Sequence, residues 1–466
     1  MKIRKIHLKN YKMFNDVTLD FTDSHGKTLD TIVIAGINGS GKTTLLQLLQ
    51  KLFSEGLNMF KVQTLLHKYE EEENALLCDE VELELDISAE EKSRLLSLAH
   101  KFSSKVNKLV GNQPKKINPV FKRIETLLSK KGRYIKLLYQ LEKKEKGQYR
   151  IHRNDFELFG ILPERELESI FKVLSFSAVH SHLKKPTSTN AITDIFNDKS
   201  SRSEMESDGI VFPIDIFSHQ KTVETHIIRL VQEKVIANRE LTAKEVIEQT
   251  IGDINQLLKG ISLKTVLVDI NSEQPIFKSF CGPLILSNEL SGGEKQLYYK
   301  AILFDKLRPQ NSLIWVDEPE TSLHPTWQQE ILKLYNNILE RNNQVILVTH
   351  SPHIIASIQP DNLFILSMNE AKKTVECFNA RKKGFHTRGN EPNDILDKVM
   401  GTPLRDCETQ NKISDLSEHL RLRPEDYDKP EMQILINNLI EDLGKQDPFV
   451  MRLNHQLMMI KRRRQN

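Results

Sequence analysis

The sequence predicts an α/β protein in which a mixed or parallel sheet is flanked by helices, with a helical insertion and a helical C-terminal tail. An apolar run, residues 31–35, leads into a glycine-rich loop and then a segment with leucines at helical spacing. Run 313–316 is apolar throughout, and run 344–349 is apolar at 345–348, which is typical of strands buried on both faces of a parallel sheet. These three observations predict the fold class.

Composition limits the classes of function. The chain has 466 residues, of which 39% are hydrophobic, so it can bury a sizeable core. Its 66 basic and 63 acidic residues leave a net charge of +3, which favours neither nucleic acid nor a membrane as a partner. The sequence contains no apolar run long enough to span a bilayer, and its four cysteines form no C-x-x-C pair. We therefore expect a cytoplasmic protein with reduced, mostly structural thiols.

The first lobe begins with strands. Residues 2–10 and 17–21 alternate between apolar and polar, as does the half-exposed segment 80–87. Ser88 and Glu91 have the spacing of a capping box, which predicts the start of a charged helical insertion running to about residue 131.

The insertion contains more than helices. Short strands are predicted between residues 133 and 159, and another over 173–179. Segment 181–208 is rich in Ser, Thr, Asn, Asp and Lys, so we expect a mobile loop there. Two helices are predicted over 222–259 with a break near Asn238, followed by a strand over 261–270.

The glycine-rich loop predicts a phosphate site. Residues Gly36 to Thr43 fit G-x-x-x-x-G-K-[ST] at every fixed position, between a strand and a helix. Loop N–H groups and the helix N-terminus would face the phosphates of ATP, Lys42 would reach the β and γ phosphates, and Thr43 would bind Mg²⁺. The residues of this loop expected to contact the nucleotide are Gly36, Asn38, Gly39, Ser40, Gly41, Lys42, Thr43 and Thr44.

A second anion-binding device is predicted at Ser291-Gly292-Gly293, which opens a helix from about Glu294 to Leu307. One ATP does not need two phosphate cradles from one chain. The economical interpretation is that Ser291, Gly292 and Gly293 cover the γ-phosphate held by another subunit, which makes the site composite and the protein a homodimer or higher oligomer.

Three polar residues follow the two buried strands. Asp317 ends the run 313–316, where it can hold Mg²⁺, and the adjacent Glu318 can orient or deprotonate the attacking water. His350 ends the run 344–349, where its imidazole can hydrogen-bond the γ-phosphate. Glu318 and His350 are therefore the predicted catalytic residues, and Thr43 and Asp317 the predicted metal ligands.

Taken together, these motifs resemble the ABC-type ATPases of the Rad50, SMC and RecF branch. Walker A would be 36–43, the signature loop 290–294, Walker B the strand ending in Asp317-Glu318, and the switch histidine His350. The resemblance implies an ABC-ATPase head and a nucleotide-dependent dimer with two ATP molecules sandwiched between its subunits. It leaves the glutamine loop open, with Gln63 and Gln140 as candidates. The long heptad arms and zinc-hook cysteines of Rad50 are missing from the sequence.

The tail narrows the resemblance. Segments 389–396 and 399–405 look like the ending of AAA_21-like ATPases of prokaryotic anti-phage systems, most similar to the PtuA family of Septu ATPase subunits, including the version attached to some retrons. That resemblance implies a separate HNH nuclease of the PtuB type as partner. In a retron it also implies a reverse transcriptase with its RNA–DNA product, and nucleic acid bound through the complex.

These features predict four regions. They are an ATPase lobe with Walker A (1–87), the insertion (88–260), a lobe with signature, Walker B and switch histidine (261–385), and a helical partner-binding region (386–466). The alternative function is a DNA-repair or recombination ATPase of the RecF or Rad50 type that acts directly on DNA. Lysine pairs at 115–116 and 130–131 would serve it, although such charge runs are usually solvated faces.

Overall fold

The fold is known from a computed structural model of the chain. The residues it describes are 1–58, 78–110, 118–130, 132–143, 149–156, 167, 170–177, 211–215, 223–271, 274–280, 282–339, 342–369 and 371–465. The predicted mobile loop 181–208, Gln63 and the lysine pair 115–116 lie outside these ranges.

Within the described ranges, strands and helices alternate along much of the chain. The strands are β1 (Lys2–Tyr11), β2 (Phe14–Asp20), β3 (Thr31–Ala35), β4 (Glu80–Asp86), β5 (Tyr134–Lys143), β6 (Tyr149–Asn154), β7 (Val173–Ser177), β8 (Val211–Asp215), β9 (Thr265–Ile270), β10 (Pro275–Ser279), β11 (Leu284–Leu286), β12 (Leu313–Asp317), β13 (Gln344–Thr349), β14 (Leu363–Asn369) and β15 (Thr374–Asn379). The helices are α1 (Lys42–Asn58), α2 (Ala89–Val110), α3 (Asn118–Leu128), α4 (Val223–Ala237), α5 (Ala243–Leu257), α6 (Gly292–Leu307), α7 (Pro325–Asn336), α8 (Pro352–Ile355), α9 (Pro392–Asp394), α10 (Cys407–Leu422), α11 (Pro430–Leu443) and α12 (Pro448–Gln465).

The central sheet has the strand order β15-β14-β3-β13-β12-β7-β8. All neighbouring pairs in it are parallel except β14 with β15, so the sheet is mixed. Strands β3, β12 and β13 are buried at every position, because other segments of the protein cover both faces of the sheet. Their carboxyl ends lie at one edge, where ligands bind in open α/β sheets. The predicted fold class is confirmed.

Two antiparallel sheets accompany the central one, with the orders β2-β1-β4-β5-β6 and β11-β10-β9. The buried amide of Gln344 joins β13 to β1. Its Oε1 accepts from the Ile3 N–H at 2.7 Å, and its Nε2 donates to the Ile3 carbonyl at 2.8 Å. Trp315, fully buried on β12, packs edge-on against Phe53 of α1 with ring centroids 5.6 Å apart. The helix after the glycine loop is thereby fixed against the central sheet.

Several predicted elements lie where the sequence placed them. The Ser88 capping box is present, with the Glu91 N–H donating to Ser88 Oγ at 3.1 Å and the Ser88 N–H donating to Glu91 Oε2 at 2.8 Å. Helices α4 and α5 are separated around Asn238, as predicted.

Two boundaries differ from the prediction. The predicted strand 261–270 begins only at Thr265, because the N–H groups of Ile261 and Leu263 donate to local turn carbonyls instead of a neighbouring strand. The helix predicted from Glu294 begins at Gly292, because Ser291 acts as its N-cap.

The chain divides into two compact units, Met1–Ile395 and Leu396–Asn466. The second unit has its own core, formed by apolar residues of α10, α11 and α12. The four predicted region boundaries stay predictions. Among the described residues, none of the helices is both long enough and apolar enough to cross a bilayer.

Candidate functional site

The glycine loop connects the end of β3 to the start of α1, which is the context that phosphate binding requires. Gly39 and Gly41 have φ values of 79° and 91°, a left-handed conformation that favours glycine. A Cβ on Gly36 would lie 2.5 Å from the Leu366 carbonyl oxygen, so a side chain does not fit there. The geometry of the loop therefore requires glycine at these three positions.

Lys42 is buried at the start of α1. Its Nζ donates to the carbonyls of Gly36 at 2.8 Å and Ile37 at 2.9 Å, so the ammonium lies within the curve of the loop. Burial lowers the pKa of Lys42, whereas the charges of Asp317, Glu318 and Glu320 raise it. A cation in this position can neutralise a phosphate and offset the neighbouring carboxylates.

Asp317 ends β12 beside Thr43. Burial raises the pKa of Asp317 to about 6, while a hydrogen bond from the Thr43 side chain and the Lys42 charge act in the opposite direction. Asp317 Oδ1 and Ser40 Oγ are both buried and lack a hydrogen-bond partner among the described residues. Buried polar atoms are rarely left unpaired. Unpaired oxygens beside a glycine loop fit Mg²⁺ and a phosphate, with Thr43 and Asp317 as the metal's ligands.

Glu318 follows directly. Its φ of 48° is left-handed, a conformation that is costly for a residue with a side chain and that often occurs at functional sites. The Glu318 N–H donates to the Val348 carbonyl at 2.8 Å, which fixes this backbone to the end of β13. Its side chain is 33% exposed, and Oε1 lies 3.6 Å from His350 Nδ1. Glu318 is thus held at the sheet edge with its carboxylate open to solvent.

His350 directly follows β13, and its side chain is 44% exposed. The His350 N–H donates to Glu320 Oε1 at 2.9 Å, and Nδ1 lies 3.4 Å from the same oxygen. Sequence reasoning missed Glu320 because its burial depends on the turn that follows β12. The available signal was a third carboxylate, three residues after Asp317 and two after Glu318, in the segment that follows β12.

The structure therefore gathers Lys42, Thr43, Asp317, Glu318 and His350 at the carboxyl edge of β3, β12 and β13. Of the two glutamine-loop candidates, Gln140 lies on β5 and donates to Glu80 Oε2 at 2.6 Å. This places Gln140 in the five-stranded sheet. No cluster of three or more His, Cys, Asp or Glu side chains suitable for a metal occurs in the described part of the chain.

Ser291 caps α6 and is exposed. Its N–H and Oγ donate to Glu294 Oε2 at 3.0 and 2.8 Å, and the Thr265 hydroxyl donates to Glu294 Oε1 at 2.9 Å. The buried Glu294 carboxylate therefore occupies the anion position that the sequence assigned to a phosphate. An incoming phosphate must displace Glu294 from Ser291 or use the N–H groups of Gly292 and Gly293. The phosphate contact of these three residues stays a prediction.

The two glycines of this loop have different surroundings. A Cβ on Gly293 would lie 2.6 Å from the Trp327 ring and 3.0 Å from the Ser322 carbonyl, whereas a Cβ on Gly292 would meet nothing within 4 Å. Gly293→Ala should lower the free energy of unfolding by about 1–3 kcal/mol because it overpacks this contact. Gly292→Ala, the matched control, should change it by less than about 0.5 kcal/mol. Urea unfolding checks both values, and equal stabilities would contradict the close contact at Gly293.

Comparison with known proteins found a matching family model and several similar proteins. A family model described as "AAA_15: AAA ATPase domain" matches residues 1–355. The "Retron Vc95 probable ATPase" of Vibrio cholerae serotype O1 biovar El Tor is 22% identical over 398 residues, which are 79% of this chain and 74% of that protein. The "Septu protein PtuA" of Bacillus thuringiensis is 34% identical over 97 residues, which are 21% of this chain and 24% of that protein. Among solved structures, the SMC head domain from Thermotoga maritima aligns with 81% of this chain and 99% of its own length, at 15% identity and a TM-score of 0.39.

Proposed function

The chain belongs to the AAA_15 family of AAA ATPase domains, and from this premise we propose that it binds and hydrolyses ATP with Mg²⁺ at the carboxyl edge of β3, β12 and β13. The observation that carries the proposal is the pair of buried, unpaired oxygens, Ser40 Oγ and Asp317 Oδ1, beside Lys42 and Thr43. The resemblance to Septu and retron ATPases predicted from the sequence is confirmed by two relatives with those names.

Each residue has a role in this proposal. The glycine loop from Gly36 to Thr43 and the N-terminus of α1 bind the phosphates, and Lys42 supplies the charge that they need. Thr43 and Asp317 hold the metal, which when bound neutralises phosphate charge and fixes its orientation. Glu318 orients or deprotonates the attacking water, and His350 hydrogen-bonds the γ-phosphate.

We further propose that the site is composite. Ser291, Gly292 and Gly293 begin α6 with N–H groups that can face an anion, and Ser291 is exposed. In a homodimer, this helix start would cover the γ-phosphate held by the glycine loop of the other subunit. ATP would then join two chains, and its hydrolysis would separate them.

The biological role that we propose is in prokaryotic anti-phage defence. The chain would be the ATPase subunit of a Septu-like complex, with or without a retron, and would control a separate HNH nuclease. Nucleic acid would be bound through the complex, and in a retron the partners would include a reverse transcriptase and its RNA–DNA product. The support is the similarity to a retron ATPase over 79% of the chain.

The partner proposal is tested by co-expression with an HNH protein encoded beside this chain's gene. Co-purification, and DNA or RNA cleavage that depends on ATP occupancy, would support control of a nuclease. Salt-dependent binding of DNA by the isolated chain, without a nuclease partner, would instead favour the repair ATPase. Truncation after residue 395 removes the second compact unit and tests whether it binds the partner.

The composite site is tested by Ser291→Arg. A bulky cation at the exposed start of α6 should block closure of one subunit on another, because the approaching surface cannot accommodate it. ATP affinity should change by less than about threefold, since weakening a site tenfold takes 1.4 kcal/mol of direct contact.

Light scattering with ATP and with a non-hydrolysable analogue checks the oligomeric state. Ser24→Arg, at an exposed turn residue, is the matched control and should dimerise normally. An ATP-dependent dimer of Ser291→Arg as stable as that of the control would contradict the composite site.

A further inference from the structure

Glu320 lies where the turn after β12 meets the end of β13, and its carboxylate is buried. The turn is tight. Glu318 and Ser322 have left-handed φ values of 48° and 61°, and the Leu323 N–H donates to the Glu320 carbonyl at 2.9 Å. The backbone therefore directs the Glu320 side chain inward rather than to solvent. A buried carboxylate is costly unless surrounding groups compensate its charge.

The groups that hydrogen-bond this carboxylate belong to the His350 segment. Glu320 Oε1 accepts from Thr349 Oγ1 at 2.8 Å and from the His350 N–H at 2.9 Å, and it lies 3.4 Å from His350 Nδ1. Thr349 Oγ1 in turn accepts from the Ser351 N–H at 2.9 Å. The residues on both sides of His350 are thus anchored, directly or through one hydroxyl, to a single carboxylate oxygen.

A second set of groups faces Glu320 from the helices. Lys300 of α6 is fully buried, its Nζ donates to the Pro319 carbonyl at 3.3 Å, and the Glu320 charge supports its protonated form against burial. Burial and the Glu320 charge both raise the pKa of the Tyr335 phenol on α7. Glu320 Oε2 is buried without a hydrogen-bond partner among the described residues. The carboxylate therefore lies between the helix that starts at Ser291 and the loop that carries His350.

We propose that Glu320 is a positioning residue of the ATPase site: it holds the His350 segment against the turn that carries Glu318. This inference rests on the proposed function, because the positioned residues are the proposed catalytic ones. Glu320 is buried and acts through its neighbours. Its contribution should therefore appear in turnover rather than in nucleotide affinity.

The first test compares Glu320→Ala and the isosteric Glu320→Gln with wild type. Glu320→Ala should lower kcat at least about tenfold, because misplacement of a catalytic group by about 1 Å can cost a hundredfold. The affinity for ATP should change by less than about threefold, since the phosphate-binding loop is untouched. Glu320→Gln should recover part of kcat, because its amide oxygen can still accept from Thr349 and His350.

Glu330→Ala is the matched control. Glu330 also accepts from a backbone N–H and a hydroxyl, those of Ser262, at 2.7 and 2.9 Å, but it lies on α7 outside this cluster. It should keep wild-type kcat. A kcat of Glu320→Ala equal to that of Glu330→Ala would overturn the proposal.

A double-mutant cycle with His350→Ala separates positioning from general stability. If Glu320 acts through His350, adding Glu320→Ala to His350→Ala should lower kcat by less than about twofold. If Glu320→Ala lowers kcat as much in the His350→Ala background as it does in wild type, the proposal is overturned.

Amide hydrogen exchange of the nucleotide-free protein provides a readout that does not depend on hydrolysis. Exchange at the His350 amide should be slow in wild type and at least about tenfold faster in Glu320→Ala, because its acceptor is lost. Unchanged exchange would overturn the inference. If the wild-type protein does not hydrolyse ATP, the proposed function is overturned. Faster exchange at the His350 amide in Glu320→Ala would even then show that Glu320 holds the His350 segment in place.

Discussion

Lys42→Ala should abolish tight ATP binding. The ammonium lies within the glycine loop, bound to the carbonyls of Gly36 and Ile37, where the β and γ phosphates of a nucleotide would approach. Hydrogen bonds to a charged group contribute about 1.5–3 kcal/mol each, so loss of this contact alone should weaken binding roughly tenfold to a hundredfold.

The loss should be larger still because of the neighbouring carboxylates. Lys42 interacts electrostatically with Asp317, Glu318 and Glu320, which form a negative cluster at the same edge. Without the ammonium, the triphosphate would meet that cluster directly, and like charges in a partly buried site repel strongly. We therefore expect a decrease in affinity of more than a hundredfold, which equals about 2.7 kcal/mol.

Calorimetric titration with ATP and Mg²⁺ measures the affinity of Lys42→Ala for ATP, and thermal unfolding checks that the variant is folded. Lys51→Ala is the matched control, since Lys51 is an exposed lysine on the same helix, α1. It should bind ATP as wild type does. Wild-type affinity in Lys42→Ala would refute the assignment of the phosphate site.

Most strands and helices could be predicted from the sequence, because the pattern that specifies each of them lies within one short segment. Residues 313–316 and 345–348 are all apolar, and they form most of strands β12 and β13, which pair in parallel. The order of the strands in the sheet could not be predicted from the sequence, because it depends on contacts between distant segments. Strand β3 inserts between β13 and β14, and the Gln344 amide ties β13 to β1 across more than 300 positions. No periodicity in the sequence encodes such a contact.

The candidate site likewise contains residues that the sequence could predict and residues that it could not. The glycine loop is one continuous motif with fixed steric demands, so its position was predictable from residues 36–43 alone. Glu320 and Glu294 were not, because their importance follows from burial and from partners that only the folded chain supplies. Glu294 in particular changes the interpretation of Ser291. The hydroxyl predicted to meet a phosphate is already engaged by a carboxylate three residues away, in a capping box.

Glu318→Gln should bind ATP and fail to hydrolyse it. The amide keeps the size of the side chain but cannot accept a proton from water, and it has no charge to orient the attacking molecule. Loss of one such transition-state contact costs about 3 kcal/mol, or roughly a hundredfold in rate. If the site is composite, the variant should accumulate as an ATP-bound dimer. Phosphate release under single-turnover conditions and light scattering measure the two effects.

Glu330→Gln is the control for Glu318→Gln, because it makes the same chemical change on α7 and should leave turnover intact. Normal hydrolysis by Glu318→Gln would mean that another residue is the base. Glu320 is a poor substitute for that role, since its side chain is 6% exposed, whereas that of Glu318 is 33% exposed. A base must reach water, and the left-handed backbone at Glu318 places the more accessible of these two carboxylates beside His350. The exposure of these neighbouring carboxylates thus separates the residue that contacts water from the one that holds its surroundings in place.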